Sequence, residues 1–198
     1  MLTVGLMTLG LQAPPARASG AYPEEAVKAA FLYRFAGYVD WPAQVADVPQ
    51  FTIAVLGGDE VAEQLKQLLV DRRIQNKPAR TEPIKTLREL GEAQMLYIGS
   101  GFKGNLRALL VALKERPVLV VTDQPDGLES GGTVNFLVED QHVRFEVSTA
   151  AAKRSGLKVS SDLLAVAEHV KTGDLRQNSL CRPESAFTLH CFLWVARR

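Results

Sequence analysis

The sequence predicts an α/β fold: a doubly wound, mostly parallel sheet with helices on both faces and an antiparallel β-hairpin towards the C-terminus. Three observations carry this expectation. Helical and extended patterns alternate from Pro23 to Pro125. Pro117-Val-Leu-Val-Val121 is a continuous apolar run, as expected of a strand covered on both faces. Residues 133–138 and 142–147 then alternate about Glu139-Asp140-Gln141, which reads as a hairpin.

The elements follow in order. Pro23-Glu24-Glu25 opens a helix, with proline early and acids in the first turn, where the helix dipole favours them. Ala26, Ala29, Ala30, Tyr33, Phe35, Gly37 and Tyr38 form its apolar stripe, Phe31 and Leu32 widen it, and Pro42 is expected to end it just after Trp41. Phe51-Thr-Ile-Ala-Val-Leu56 is a strand running into Gly57-Gly58-Asp59. Val61, Leu65, Leu68 and Leu69 then share a helix face. Residues 79–84 are polar and contain Pro83, which suits an edge strand. A short helix near Leu87 and Leu90 leads to Met95-Leu-Tyr-Ile98 and the turn Gly99-Ser100-Gly101. Leu106, Leu109, Leu110 and Leu113 are in helical register. Beyond the hairpin, residues 149–155 form a short helix. Ser160 or Ser161 caps the next, whose Leu163, Leu164, Val166, Ala167 and Val170 are expected to face inward.

At 198 residues the chain fits one domain with a tail. Residues 1–18 read as a signal peptide: an apolar run too short to span a bilayer, then Pro14-Pro15 and the small-x-small site Ala16-Arg17-Ala18. The basic residues that ordinarily precede such a run are missing, and a buried N-terminal strand is the competing role. Without residues 1–18 the chain carries 22 basic and 22 acidic residues. Lys and Arg are scattered, so nothing points to nucleic acid as a partner. Residues 22–170 form the expected body and 171–198 an atypical tail. Export to the periplasm would make Cys181 and Cys191 a candidate disulfide closing a short loop, worth on the order of 2–3 kcal/mol if unstrained. In a reducing cytosol they would be two free thiols.

The chemistry-bearing residues form no nucleophile–base pair, metal set or phosphate loop in sequence, so no catalytic residue, metal or cofactor is assigned. Gly57, Gly58 and Asp59 follow the first strand at a helix N-terminus, without the third glycine of a dinucleotide fingerprint. Ser100, Thr122 and Asp123 occupy the corresponding ends of later strands. In open α/β sheets a crevice forms there, which makes these six residues the default rim for a small ligand. Arg144 and Glu146 are expected to form a solvated cross-strand pair.

Together these segments resemble the YfiR family: Ala26-Val-Lys-Ala-Ala-Phe-Leu-Tyr-Arg-Phe-Ala, Trp41-Pro42, Phe51-Thr-Ile-Ala-Val-Leu-Gly, Gly131-Gly132-Thr-Val-Asn135-Phe136, Val143-Arg-Phe-Glu-Val and Gly156-Leu-Lys-Val-Ser-Ser-Asp-Leu-Leu. The blocks fall in family order from about Tyr22 to about Val170. The resemblance implies a periplasmic α/β protein that represses a membrane-bound diguanylate cyclase of the YfiN type through its periplasmic region. Lower cyclic di-GMP and less biofilm would follow. It also implies a possible outer-membrane lipoprotein partner that sequesters the repressor. Many members carry a cysteine just before the third strand, where this chain has Glu92-Ala93-Gln94-Met95. The partner interface is expected on the first helix's aromatics or around Leu157, Val159, Leu163 and Leu164, with core packing as the competing role for each. The same patch could form a homodimer. A small-molecule sensor using the strand-end crevice is the second reading, and an enzyme the last.

Overall fold

The computed structural model describes residues 22–173; the expected signal peptide and the Cys181–Cys191 pair lie outside them. Helix α1 spans Glu24–Phe35, followed by β1 (Val39–Asp40), α2 (Ala43–Ala46) and β2 (Phe51–Leu56). Next come α3 (Asp59–Leu68), β3 (Arg73–Ile74), β4 (Lys77–Ile84), a 3-10 turn at Leu87–Leu90 and β5 (Met95–Ile98). Then follow α4 (Leu106–Ala112), β6 (Leu119–Thr122), α5 (Gly127–Ser130), β7 (Val134–Glu139) and β8 (His142–Ser148). The described chain closes with α6 (Thr149–Arg154), β9 (Lys158–Val159), α7 (Ser161–Ala165) and β10 (His169–Lys171). Among the described residues no helix is long and apolar enough to cross a membrane.

Eight strands form one sheet in the order β10-β8-β7-β6-β5-β2-β4-β3, and β1 pairs with β9 in a small separate ribbon. The central pairings are parallel, from β4 through β2, β5 and β6 to β7. The chain leaves β2 for β4 on one side and returns to β5 on the other, which makes β2/β5 the switch point. Strands β2, β5 and β6 are buried along their whole length and almost wholly apolar, because successive side chains serve opposite cores. Ile53, Val55, Met95, Tyr97, Leu119 and Val121 meet α1 and α3, whereas Ala54, Leu56, Leu96, Ile98 and Val120 meet Leu90, Leu110 and Leu113. The doubly wound α/β arrangement is thus the observed one. The hairpin is antiparallel from Val134↔Val147 to Glu139↔His142, and Asp140 and Gln141 both take positive φ, the signature of a type I′ turn.

Two local expectations are corrected. Helix α1 stops at Phe35, well before Pro42. Residues after Gly37 are drawn out by the pairing of Val39 with Val159 and by the extended backbone that Pro42 favours in Trp41. Trp41 remains buried, edge-on to Phe51 at 5.2 Å, and its Nε1 donates to the Gln94 carbonyl at 3.1 Å. At the other end, α7 closes at Ala165, so Val166 and Val170 are exposed instead of inward-facing. Val170 belongs to β10, which pairs parallel with β8 and runs through Lys171, a residue expected to open the tail. Of the two candidate caps, Ser160 accepts from the Leu163 amide at 3.3 Å.

Candidate functional site

The exits of β2 and β5 are fused by backbone contact. The Gly99 amide donates to the Leu56 carbonyl at 2.9 Å, and the Gly101 amide to the Gly57 carbonyl at 3.0 Å. A Cβ on Gly99 would lie 2.4 Å from the Gly57 oxygen, and Gly57 itself has φ +67°, so both positions require glycine. Above this floor opens a cleft of about 560 Å³ bounded by the N-terminal turns of α1 and α3. Of the six residues expected at the rim, Gly57, Gly58, Asp59, Ser100 and Asp123 line it.

Thr122 does not belong to the rim. Strand alternation turns it away from the cleft, and it is fully buried. Its Oγ1 donates to Asn135 Oδ1 at 2.6 Å, and Asn135 Nδ2 donates to Glu146 Oε1 at 3.0 Å. Glu146 is therefore not the partner of Arg144, which bonds Glu168 at 2.5 Å; two residues apart on one strand, they do not form a cross-strand pair. Of the four expected interface residues, Leu157 and Leu163 are buried in the core beside α1, so they are not surface contacts. Val159 and Leu164 remain half-buried at the edge of the same cluster.

The cleft contains residues that the sequence did not mark. Lys28 projects from the middle of α1 and is only 4% exposed. Its ammonium donates to Asp123 Oδ2 at 2.6 Å and to Glu24 Oε1, one helical turn back. Tyr97, on β5, donates its hydroxyl to the same Asp123 oxygen at 3.2 Å. Burial alone would lower the Lys28 pKa, but the hydrogen bonds and charges of Asp123 and Glu24 outweigh it and hold the group above its ordinary value. Burial, reinforced by the Asp123 charge, pushes the Tyr97 phenol well above the usual range. Near neutral pH these two groups are locked as ammonium and phenol, the forms that serve neither as nucleophile nor as general base.

Glu24, Glu25, Asp59, Glu60 and Asp123 set five carboxylates against the two ammonium groups of Lys28 and Lys103. Asp59 and Glu60 already occupy the first turn of α3, where a phosphate would otherwise be drawn. The charge of the cleft therefore opposes a nucleotide phosphate. Among the described residues no group of three or more His, Cys, Asp or Glu side chains could hold a metal ion. The signal for Lys28 was a lone ammonium inside an apolar helix. Asp123 lies 95 residues away, so only the fold brings them together.

A family model described as YfiR/HmsC-like matches residues 25–168. None of the curated proteins matches the chain. Similar solved structures include a conserved domain protein from Vibrio cholerae O1 biovar El Tor str. N16961, with a TM-score of 0.49 and 10% identity over 75% of this chain. Another is the ABC domain in complex with L-Trp from Streptococcus pneumoniae, with a TM-score of 0.46 and 9% identity over 61% of this chain. The chain spans 60% of the first and 55% of the second.

Proposed function

This chain belongs to the YfiR/HmsC-like family, and on that premise we propose that it is a periplasmic regulatory binding protein that represses a membrane-bound diguanylate cyclase. Its effect would be lower cyclic di-GMP and less biofilm. The family is one of regulators of the diguanylate-cyclase type, and repression is the specific reading of this member. The observation that carries it is the match over residues 25–168, nearly the whole described body. The Lys28–Asp123–Tyr97 network fits this reading, because its ammonium and phenol are held in forms that serve neither as nucleophile nor as general base. Contact with a partner biases the cyclase only if the repressor binds its inactive state more tightly. A homodimer and a sequestering outer-membrane lipoprotein belong to the same proposal.

The test is a pull-down of the mature chain against membranes, together with cyclic di-GMP measured in cells with and without the gene. Capture of a cyclase and a rise in cyclic di-GMP on deletion are expected. Unchanged cyclic di-GMP would sink the reading. One observation favours a second reading, a small-molecule sensor: a cleft of about 560 Å³ lies at the switch point of the sheet. A saturable rise in melting temperature with a cationic or zwitterionic compound would support it.

A further inference from the structure

The exposed side of α1 and the turn after α3 build a second surface, which runs along α1 from Ala26 and Ala29 to its last turn. Tyr33 and Tyr38 stand half-buried there. The Arg72 guanidinium lies 5.4 Å above the Tyr33 ring, and the Tyr33 hydroxyl donates to the Arg73 carbonyl at 3.4 Å. This stack separates two hollows. One, of about 350 Å³, is lined by Tyr33, Arg34, Tyr38 and Arg73, with buried Ile74 among its walls. The other, of about 400 Å³, is lined by Ala26, Ala29, Leu68, Val70 and Arg72, with Val70 66% exposed. Arg73 Nε donates to the Asn76 carbonyl at 2.9 Å, but among the described residues nothing accepts from the guanidinium of Arg34 or of Arg72. Elsewhere, the Arg144 and Lys171 cations find carboxylates within the fold.

We propose that this face docks an extended acidic segment of a partner protein. Its carboxylates would take the free guanidinium forks of Arg34 and Arg72, and its apolar side chains would enter the hollows beside Ile74 and Val70. The charge complementarity is bidentate, since each guanidinium offers a planar pair of donors that a carboxylate matches. Tyr and Arg are also the side chains that carry most binding energy where a rigid scaffold holds them, as the Tyr33–Arg72 stack does. This inference rests on the reading that the chain acts by contact with another protein.

The probe is a fluorescein-labelled peptide of alternating Glu and Leu, with a Lys and Leu counterpart, titrated into the full chain by anisotropy. Saturable binding of the Glu peptide and none of the Lys peptide is expected. The double substitution Arg34→Gln/Arg72→Gln should weaken it by about tenfold or more, the loss of two charge-assisted contacts. Arg72→Lys should weaken it partly, because charge is kept while the fork and the stack are lost. Arg88→Gln, on the distant 3-10 turn, should change nothing, and melting temperatures should match throughout. Failure of the Glu peptide to bind, equal binding of the Lys peptide, or full affinity in the double variant would overturn the proposal. So would binding of phosphatidylglycerol vesicles through the same arginines without peptide binding. No cyclase is needed, so a failed repression assay and a failed docking face are told apart.

Discussion

The two ends of α1 present opposite solutions to the same problem of charge on a helix. At its first turns, Lys28 is buried and satisfied by Glu24 and Asp123, and the surrounding cleft is acidic. At its last turn, Arg34 is exposed with no acceptor among the described residues, next to a tyrosine–arginine stack and the hollow at Ile74. The first arrangement spends its hydrogen bonds within the fold and fixes the helix to the sheet. The second leaves donors facing solvent. A substitution at the first end should therefore act on stability, and one at the second on binding.

The largest break should come from the floor of the cleft. Gly99→Ala would drive its Cβ into the Gly57 carbonyl, where backbone must move, and should cost about 3 kcal/mol by urea unfolding. Next comes Lys28→Met. It strips a largely buried carboxylate, Asp123, of its ammonium partner and should cost about 2 kcal/mol or more, leaving Tyr97 Oη as the remaining donor to that oxygen.

A pH series sharpens the same contrast. Lys28 and Tyr97 both hold their protons more tightly in the fold than in the unfolded chain, so ν is larger in the native state above their ordinary values of 10.5 and 10.0. The contribution of these two groups should be steady up to about pH 10 and fall as pH rises beyond it. Tyr97→Phe and Lys28→Met should each flatten part of that fall. The smallest effect on stability belongs to Arg34→Gln, which should lie within about 0.5 kcal/mol of the parent because the side chain is exposed and has no acceptor among the described residues. A loss as large as that of Lys28→Met would mean that the two ends are not different in kind.

How much of this was legible in the sequence depends on how far apart the partners lie. Strands β2, β5 and β6 were readable because burial on both faces makes them apolar at all but two positions, Thr52 and Thr122. The β7–β8 hairpin was readable from alternation about a short polar turn. Strands β1, β3, β9 and β10 have two or three residues each, too few for any period to register. Gln75-Asn76, both at positive φ, was a usable signal for the β3–β4 turn. The rim of the cleft was placed by a general rule about strand ends, which succeeded for Asp123 and failed for its neighbour Thr122. Adjacent residues on a strand face opposite ways, and Gly127 leaves the room in which Thr122 meets Asn135. Leu163 was legible from its helical register, whereas the burial of Leu157, between α6 and β9, follows from long-range packing into the core that also holds Leu32 and Phe35. Gln94, just before β5, accepts from the Thr52 amide at 2.8 Å and donates to the Glu92 carbonyl at 2.7 Å. It ties two strands and Trp41 together with side-chain and backbone hydrogen bonds.

Cyclase turnover in vesicles carrying the membrane-bound enzyme, titrated with the purified chain, tests regulation by contact most directly. A saturable fall in cyclic di-GMP synthesis, weakened by Arg34→Gln/Arg72→Gln and retained by Arg88→Gln, is the predicted result. Turnover that stays constant at every concentration of a correctly folded chain would contradict it.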